Sequence, residues 1–356
     1  MELLLDNIKS KLNAHFENYL DFINFVKYHN LFHYYLAKNN LNPTQREILI
    51  REYHLKKIHN ITLQNEWEKI FSYSQDKAKI YLLKGINLSK QIYSNLSTRP
   101  TRDIDIYVNF EELFIVDSLL KQLEYKRIKP VFDLNLNQKK FLGKHIHHFT
   151  YINKKNIVIE LHWQLFTPKN LFENGESIFN EIDYNAYVTY PIEWLLHYLI
   201  THGSMHHWFK LFWLYDIHHI ITNYNVSWNK FNKYANKFNN SRIVNSSLYL
   251  SKAIFETDMP FKIKLNETEK KILQYCLKSI VKQENFLALK GIKRIKRNYY
   301  LSLLKKENKY KYKIWIASWT TLEDWKTIRL PSSLYWLYYI LRPFIWFYIN
   351  YIKNKK

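Results

Sequence analysis

The chain has 356 residues, 47% hydrophobic and 17% aromatic, with five Gly and eight Pro, which excludes a disordered or collagen-like chain and a glycine-rich dinucleotide loop. Its one cysteine, Cys276, excludes an internal disulfide and a thiolate zinc site and fits a reducing, cytoplasmic setting. The net charge of +22 is uneven: residues 281–356 hold 17 Lys and Arg against four acids, which points either to an anionic partner or to a solvated lysine-rich face.

In chain order, residues 1–75 read as a helical region. The start, "MELLLDNIKSKLNAHF", lacks a basic leader and a small-residue cleavage site, so no signal peptide is expected. Leu5, Ile8, Leu12, Phe16, Leu20, Ile23 and Val26 recur with a period of about 3.6 residues. In "NPTQRE", Asn42 is a cap, Pro43 takes the first helical position and Gln45 falls where a capping box places Glu or Gln. Residues 76–188 change period. "KIYLLKG" reads as a buried strand ending in glycine, "INLSKQIYSNL" as a helix and "DIDIYV" as a strand with one covered face. "EELFIVDSLLKQLEY" is an amphipathic helix, and "HHFTYI", "NKKN" and "IVIELHW" make a hairpin. The expected fold is α+β: a small mixed sheet (an α/β core) with flanking helices, between the helical N-terminal region and a helical domain at 189–280. A basic, aromatic-rich region follows at 281–356.

Asp103 and Asp105 stand two apart in a strand, so they face one side, about 7 Å apart or less, while Ile104 and Ile106 face the core. Two such carboxylates raise each other's pKa unless a cation lies between them, and Mg²⁺ or Mn²⁺ with oxygen ligands resolves the conflict. In "IVIELHW", Glu160 lies on the face opposite Ile157, Ile159 and Leu161 and can join the pair. Three carboxylates can hold two ions, one for a triphosphate and one for an attacking hydroxyl. The alternative is that Asp103 and Asp105 pair with Arg99 and Arg102 at a sheet edge. Beside the acids, the N–H groups of Ile86 and Asn87 at a helix start can receive phosphate oxygens, with charge from Lys84 and close approach at Gly85. Arg99 is within reach of the same polyanion.

The stretch "LLKGINLSKQIYSNLSTRPTRDIDIYV" followed by "VIELHW" resembles an uncharacterised bacterial nucleotidyltransferase family within the DNA polymerase beta-like superfamily. The shared pattern is Lys84-Gly85, an apolar helix ending in Tyr93, Arg99 and Asp103-x-Asp105, then Glu160-x-His162-Trp163; it continues through "HGSMHHWFKLFWLYDI". The resemblance implies a metal-dependent transferase that moves a nucleoside monophosphate from an NTP, such as ATP, to a hydroxyl acceptor, in a setting such as surface-polysaccharide or modified-peptide biosynthesis. Asp103 and Asp105 are then expected to ligate both ions, Glu160 the ion beside the acceptor, Lys84 and Arg99 to grip phosphates, and His162 to orient Glu160 or the acceptor. The superfamily's phosphate-binding Gly-Ser pair is replaced here by Lys84-Gly85, since the only Gly-Ser, Gly203-Ser204, comes far later. Rival readings are a toxin-like transferase that modifies tRNA, suggested by the charge although nucleic acid is the less favoured partner, and a catalytically idle nucleotide-sensing or membrane-docking protein.

Ten of the fifteen histidines fall between His145 and His219. On one helix His202, His206 and Asp216 would share a face as a zinc set, although Trp213 between them suggests a packed stripe or a wall of the nucleotide pocket. His145, His147 and His148 read as hairpin residues without a defined role. In "LYWLYYILRPFIWFYINYI", residues 334–352, Arg342, Pro343 and Asn350 argue against a spanning helix. Nine aromatics, followed by Lys353, Lys355 and Lys356, suit peripheral docking on an anionic inner leaflet; the alternative is a terminal helix pair folded onto the helical domain.

Overall fold

The computed structural model describes residues 1–356 except 17, 39–40, 96–97, 132–137, 139–145, 284–291, 318–321 and 349–356, so His145, Asn350, Lys353, Lys355 and Lys356 lie outside the described residues. Helices α1 (Glu2–Leu12), α2 (Tyr19–His29), α3 (Phe32–Leu36) and α4 (Pro43–Ser74) come first. Then follow β1 (Ile80–Leu82), α5 (Ile86–Tyr93), β2 (Ile104–Val108), α6 (Leu113–Gln122), β3 (Lys126–Lys129), β4 (His148–Ile152) and β5 (Val158–His162). Helices α7 (Ile192–Met205), α8 (Leu211–Asn223), α9 (Trp228–Phe238), α10 (Ser241–Phe255) and α11 (Glu267–Lys282) form the next block. The last described helices are α12 (Ile292–Leu303), α13 (Asn308–Ala317), α14 (Leu322–Thr327) and α15 (Leu337–Phe347).

The capping box forms at the start of α4: the Gln45 N–H donates to Asn42 Oδ1 at 2.8 Å and the Asn42 N–H to Gln45 Oε1 at 3.1 Å. The stripe from Leu5 to Val26 is not continuous. The chain leaves the helix after Leu12, Ala14 takes a left-handed φ of 62°, and Asn18 starts α2 by accepting from the Asp21 N–H at 2.9 Å. After this break Leu20 is 70% exposed, while Ile23 and Val26 remain buried.

The sheet runs β1-β2-β5-β4-β3, with β2 and β5 parallel and the other neighbours antiparallel. Strand alternation sorts its side chains. Ile104, Ile106, Ile159 and Leu161 pack against Trp67 and Ile70 of α4 and Val116 and Leu120 of α6. Tyr81 and Tyr107 belong to the larger core that joins α1–α3 to α7–α11. Strand β3 adds to the expected elements. "KRIK" carries no apolar run because an edge strand needs little cover; Arg127 is neutralised by Asp117 at 3.1 Å, which also accepts from the Tyr151 hydroxyl at 2.6 Å.

The apolar stretch after Pro191 is two helices rather than one. Helix α7 ends in a left-handed turn at His207 and Trp208, with the His207 N–H on Ser204 O at 3.0 Å and the Trp208 N–H on Gly203 O at 2.9 Å. The Trp208 ring folds over Gly203, where a Cβ would meet it at 2.3 Å. Gly203-Ser204 therefore belongs to a helix cap, and Ser204 Oγ shares a hydrogen bond with Ser247 Oγ at 2.9 Å. The last region divides between the two cores: Tyr300, Tyr310 and Ile314 enter the larger one, while Trp325, Tyr338 and Ile345 enter the one beneath the sheet.

The strap between α5 and β2 is fastened on three sides. Asn60 of α4 donates to Arg99 O at 2.9 Å and accepts from the Thr101 N–H at 3.2 Å, and Ser89 Oγ accepts from the Arg99 N–H at 3.2 Å. The Arg99 side chain donates through Nε to Asp216 Oδ2 of α8 at 3.0 Å, and the Tyr93 hydroxyl donates to Asp216 Oδ1 at 2.8 Å. The pair is buried, and burial pushes the Asp216 carboxyl upward against the pull of Arg99 and Tyr93. Removing one partner strands the other charge. Asp216→Ala is therefore expected to lower stability by about 3–5 kcal/mol, and adding Arg99→Ala should cost much less than it does alone, as read by chemical denaturation. Additive losses would show that the two groups do not act as a pair.

Candidate active site

The parallel pairing of β2 and β5 sets Asp105 opposite Glu160 and Tyr107 opposite His162. The antiparallel pairing of β4 extends both rows, with Thr150 opposite Glu160 and His148 opposite His162. Because β-strand side chains alternate, Asp105, Glu160, His162 and His148 share the face turned away from the Ile104–Leu161 core. Backbone pairing alone brings the second and third acids together.

The carboxylates come with their own counter-charges. Lys84 Nζ lies 2.7 Å from Asp105 Oδ1. His162 Nε2 stands between the acids, 3.2 Å from Asp105 Oδ1 and 3.4 Å from Glu160 Oε2, and His148 Nε2 is 3.7 Å from Glu160 Oε1. Burial opposes charge on Lys84, but Asp105 and then Asp103 outweigh it and hold the ammonium above its usual range. Burial likewise opposes charge on His162, and hydrogen bonds to Asp105 and Glu160 raise it. Glu160 is held well below the usual carboxylate range, because the His162 hydrogen bond and Lys84 together overcome its burial. Asp103, at the bend before β2, goes the other way: burial first and the Asp105 charge second push it up to about 7.

The donor set fits a divalent cation. Asp105, Glu160 and His162 each offer a ligand atom within 4.8 Å of the others, and Asp103 lies in the same field. An arriving dication would compete with Lys84 for Asp105 Oδ1.

Lys84 owes its position to the end of β1. The Leu83 N–H donates to Asp105 O at 2.9 Å, so the next side chain falls beside the Asp105 carboxylate. The chain then turns at Gly85, whose φ is 64° and whose absent Cβ would meet Thr101 Cγ2 at 2.6 Å. The Asn87 N–H, expected to face phosphate, is directed onto Lys84 O at 3.3 Å instead.

The remaining candidates are distributed differently from the sequence expectation. Arg99, expected to grip phosphate or pair with the acids, holds the buried carboxylate of Asp216. Arg102 is exposed and acts on Asp103 only through its charge. His202 and His206 do not meet Asp216, since the helix they share ends before it. Their rings lie 4.6 Å apart, with Trp213 within 5.1 and 5.2 Å. Burial drives His206 down to about 3, and the charges of Lys84 and Glu160 also act on it, so the end of α7 stands beside the carboxylates as a neutral aromatic wall. His147 and His148 are the residues the sequence reading left without a role. Counting back through the hairpin from the "NKKN" turn pairs His148 with His162, a signal that was available.

The family model described as "Uncharacterised nucleotidyltransferase" matches residues 13–256, from just after α1 through α10. No curated protein and no solved structure matches the chain. The matched span contains the sheet, Lys84, the Asp103/Asp105 pair, Glu160-x-His162 and the Arg99–Asp216 pair that fastens α8 to it, and this chain belongs to that family and is a nucleotidyltransferase.

Proposed function

We propose that the protein transfers a nucleoside monophosphate from an NTP, ATP included, to a hydroxyl-bearing acceptor, with Mg²⁺ or Mn²⁺ held by Asp103, Asp105 and Glu160. The observation that carries this reading is the pair Asp105 and Glu160, placed side by side on parallel strands with Lys84 against Asp105 and His162 between the two. Bound divalent ions would supply positive charge to the phosphates and acidify the acceptor hydroxyl. Lys84, released from Asp105, binds a phosphate oxygen as a point charge. His162 holds Glu160 in place, and the His202–His206–Trp213 wall limits water beside the reacting groups. The acceptor belongs to the setting implied by the family resemblance, surface-polysaccharide or peptide-modification chemistry.

The enzyme's place of work is the second part of this reading: the cytoplasm, at an anionic membrane surface. No helix among the described residues is long and apolar enough to cross a membrane. Helix α15 buries Tyr338 and Ile345 beneath the sheet, so it packs there rather than on the helical domain. Its other side leaves Ile340, Phe344 and Phe347 in solvent, 56%, 70% and 54% exposed, with Trp336 just before it. Arg342 lies on the buried side, paired with Asp324, and its charge acts on Arg294 of α12. Exposed rings on a chain of net charge +22 suit the headgroup layer of an anionic bilayer.

Calorimetry should detect Mg²⁺ or Mn²⁺ binding in the parent protein and none in Asp105→Asn. That variant should stay folded, because Asp103 and Glu160 still compensate Lys84. Undiminished binding would remove Asp105 from the metal site. Lys84→Ala should weaken NTP binding roughly tenfold, a factor that equals about 1.4 kcal/mol, without lowering metal affinity, since it deletes a competitor for Asp105. An unchanged NTP affinity would exclude Lys84 from the phosphate site. The membrane reading is tested by sedimentation with anionic liposomes. The triple change Trp336→Ser, Phe344→Ser and Phe347→Ser leaves the buried face of α15 intact and should reduce co-sedimentation, whereas high salt should release the parent only in part, because salt screens charge and not ring burial. A parent protein that ignores liposomes would overturn it.

A further inference from the structure

The carboxylates adjoin a group of imidazoles that oxygen-only metal binding does not use. His147, His148 and His162 bring one ring nitrogen each to within 4.8 Å of one another. Their ring centroids are 4.5 Å apart for His147 and His148, 4.9 Å for His148 and His162, and 5.5 Å for His147 and His162. Three imidazoles packed together are unfavourable if charged and poorly satisfied if neutral. His148 Nδ1 and His162 Nδ1 are buried and find no hydrogen-bond partner among the described residues, which leaves each group's desolvation uncompensated. Thr167 Oγ1 holds His147 Nδ1 at 3.0 Å and orients that ring, as outer-shell partners of metal-bound histidines do. Glu160 faces both groups, with one oxygen toward His148 and the other toward His162.

We infer that His147, His148 and His162, with Glu160 shared, form a nitrogen-rich metal position next to the carboxylate position, and that it takes a transition-metal dication of the Mn²⁺ and Zn²⁺ class in preference to Mg²⁺. This inference rests on the metal-binding reading of Asp105 and Glu160 given above. The chemical reason is ligand softness: Mg²⁺ retains oxygen donors and water, whereas imidazole with carboxylate suits Zn²⁺ and tolerates Mn²⁺. The shared Glu160 would couple occupancy of this position to the carboxylate position.

The test uses the full-length, untagged protein and Mn²⁺ alone as probe, read by pulsed electron paramagnetic resonance for nitrogen coupling. Calorimetric titration with Zn²⁺ and Mg²⁺ runs in parallel. The expected result is an imidazole nitrogen signature on Mn²⁺ in the parent. His148→Gln, which retains most of the side-chain volume, should lower Zn²⁺ affinity by at least about tenfold and leave Mg²⁺ binding unchanged. Circular dichroism confirms that the variant is folded, and the parent's nitrogen signature stands as evidence even if it is not. Mn²⁺ that binds without nitrogen coupling, and is lost in Asp105→Asn, would overturn this inference while leaving the carboxylate reading intact. A parent protein that binds no divalent ion would overturn both.

Discussion

The site depends on one constraint: two strands that each carry an acid on the same face are paired in parallel and in register, so Asp105 and Glu160 are forced together. Backbone hydrogen bonding is indifferent to this repulsion, and the Ile104, Ile106, Ile159 and Leu161 side chains that bury the reverse face hold the register against it. The fold meets the conflict with cations of its own. Lys84 arrives from the end of the neighbouring β1 and His162 from β5 itself, two residues beyond Glu160. Such a cluster brings its ligand atoms within 4.8 Å of one another before any ion is present.

A second buried ion pair joins this sheet to the helices around it. Arg99, Tyr93 and Asp216 looked like parts of separate devices in sequence, a phosphate grip, a motif tyrosine and a metal ligand. In three dimensions they form one unit. The strap they fasten leads directly to Asp103 and Asp105 at the start of β2. The same fastening places α8 and the end of α7 over the sheet, so the neutral His202 and His206 wall follows from the clamp.

The basic surplus of the chain is likewise organised by packing. The last region contributes side chains to both cores, which rules out a free tail for its described part. Its described surface still carries exposed apolar side chains, among them Ile340, Phe344 and Phe347 of α15 and Tyr312 of α13.

Much of this protein was legible in its sequence for local reasons. The capping box at Asn42, the alternation in "DIDIYV" and "VIELH", the turn at "NKKN" and the left-handed glycine after Lys84 each depend on neighbours a few residues apart, and each formed as read. Asp105 and Glu160 were found for the same reason, since period-two alternation assigns a face without knowledge of the partner strand, whereas Lys84 was read from its place at a strand end before a glycine. Other features needed the partner. Leu20 is exposed because a break at Ala14 changed the face of the helix, and the zinc set at His202 dissolved because Trp208 could fold back onto Gly203. Strand β3 exists because a sheet edge was there to receive a charged segment, and the Arg99 side chain ends on a buried carboxylate more than a hundred residues later. Periodicity and capping are written in the chain, but the destination of a long charged side chain is decided by which opposite charge the folded core brings within reach, and only the tertiary structure specifies that.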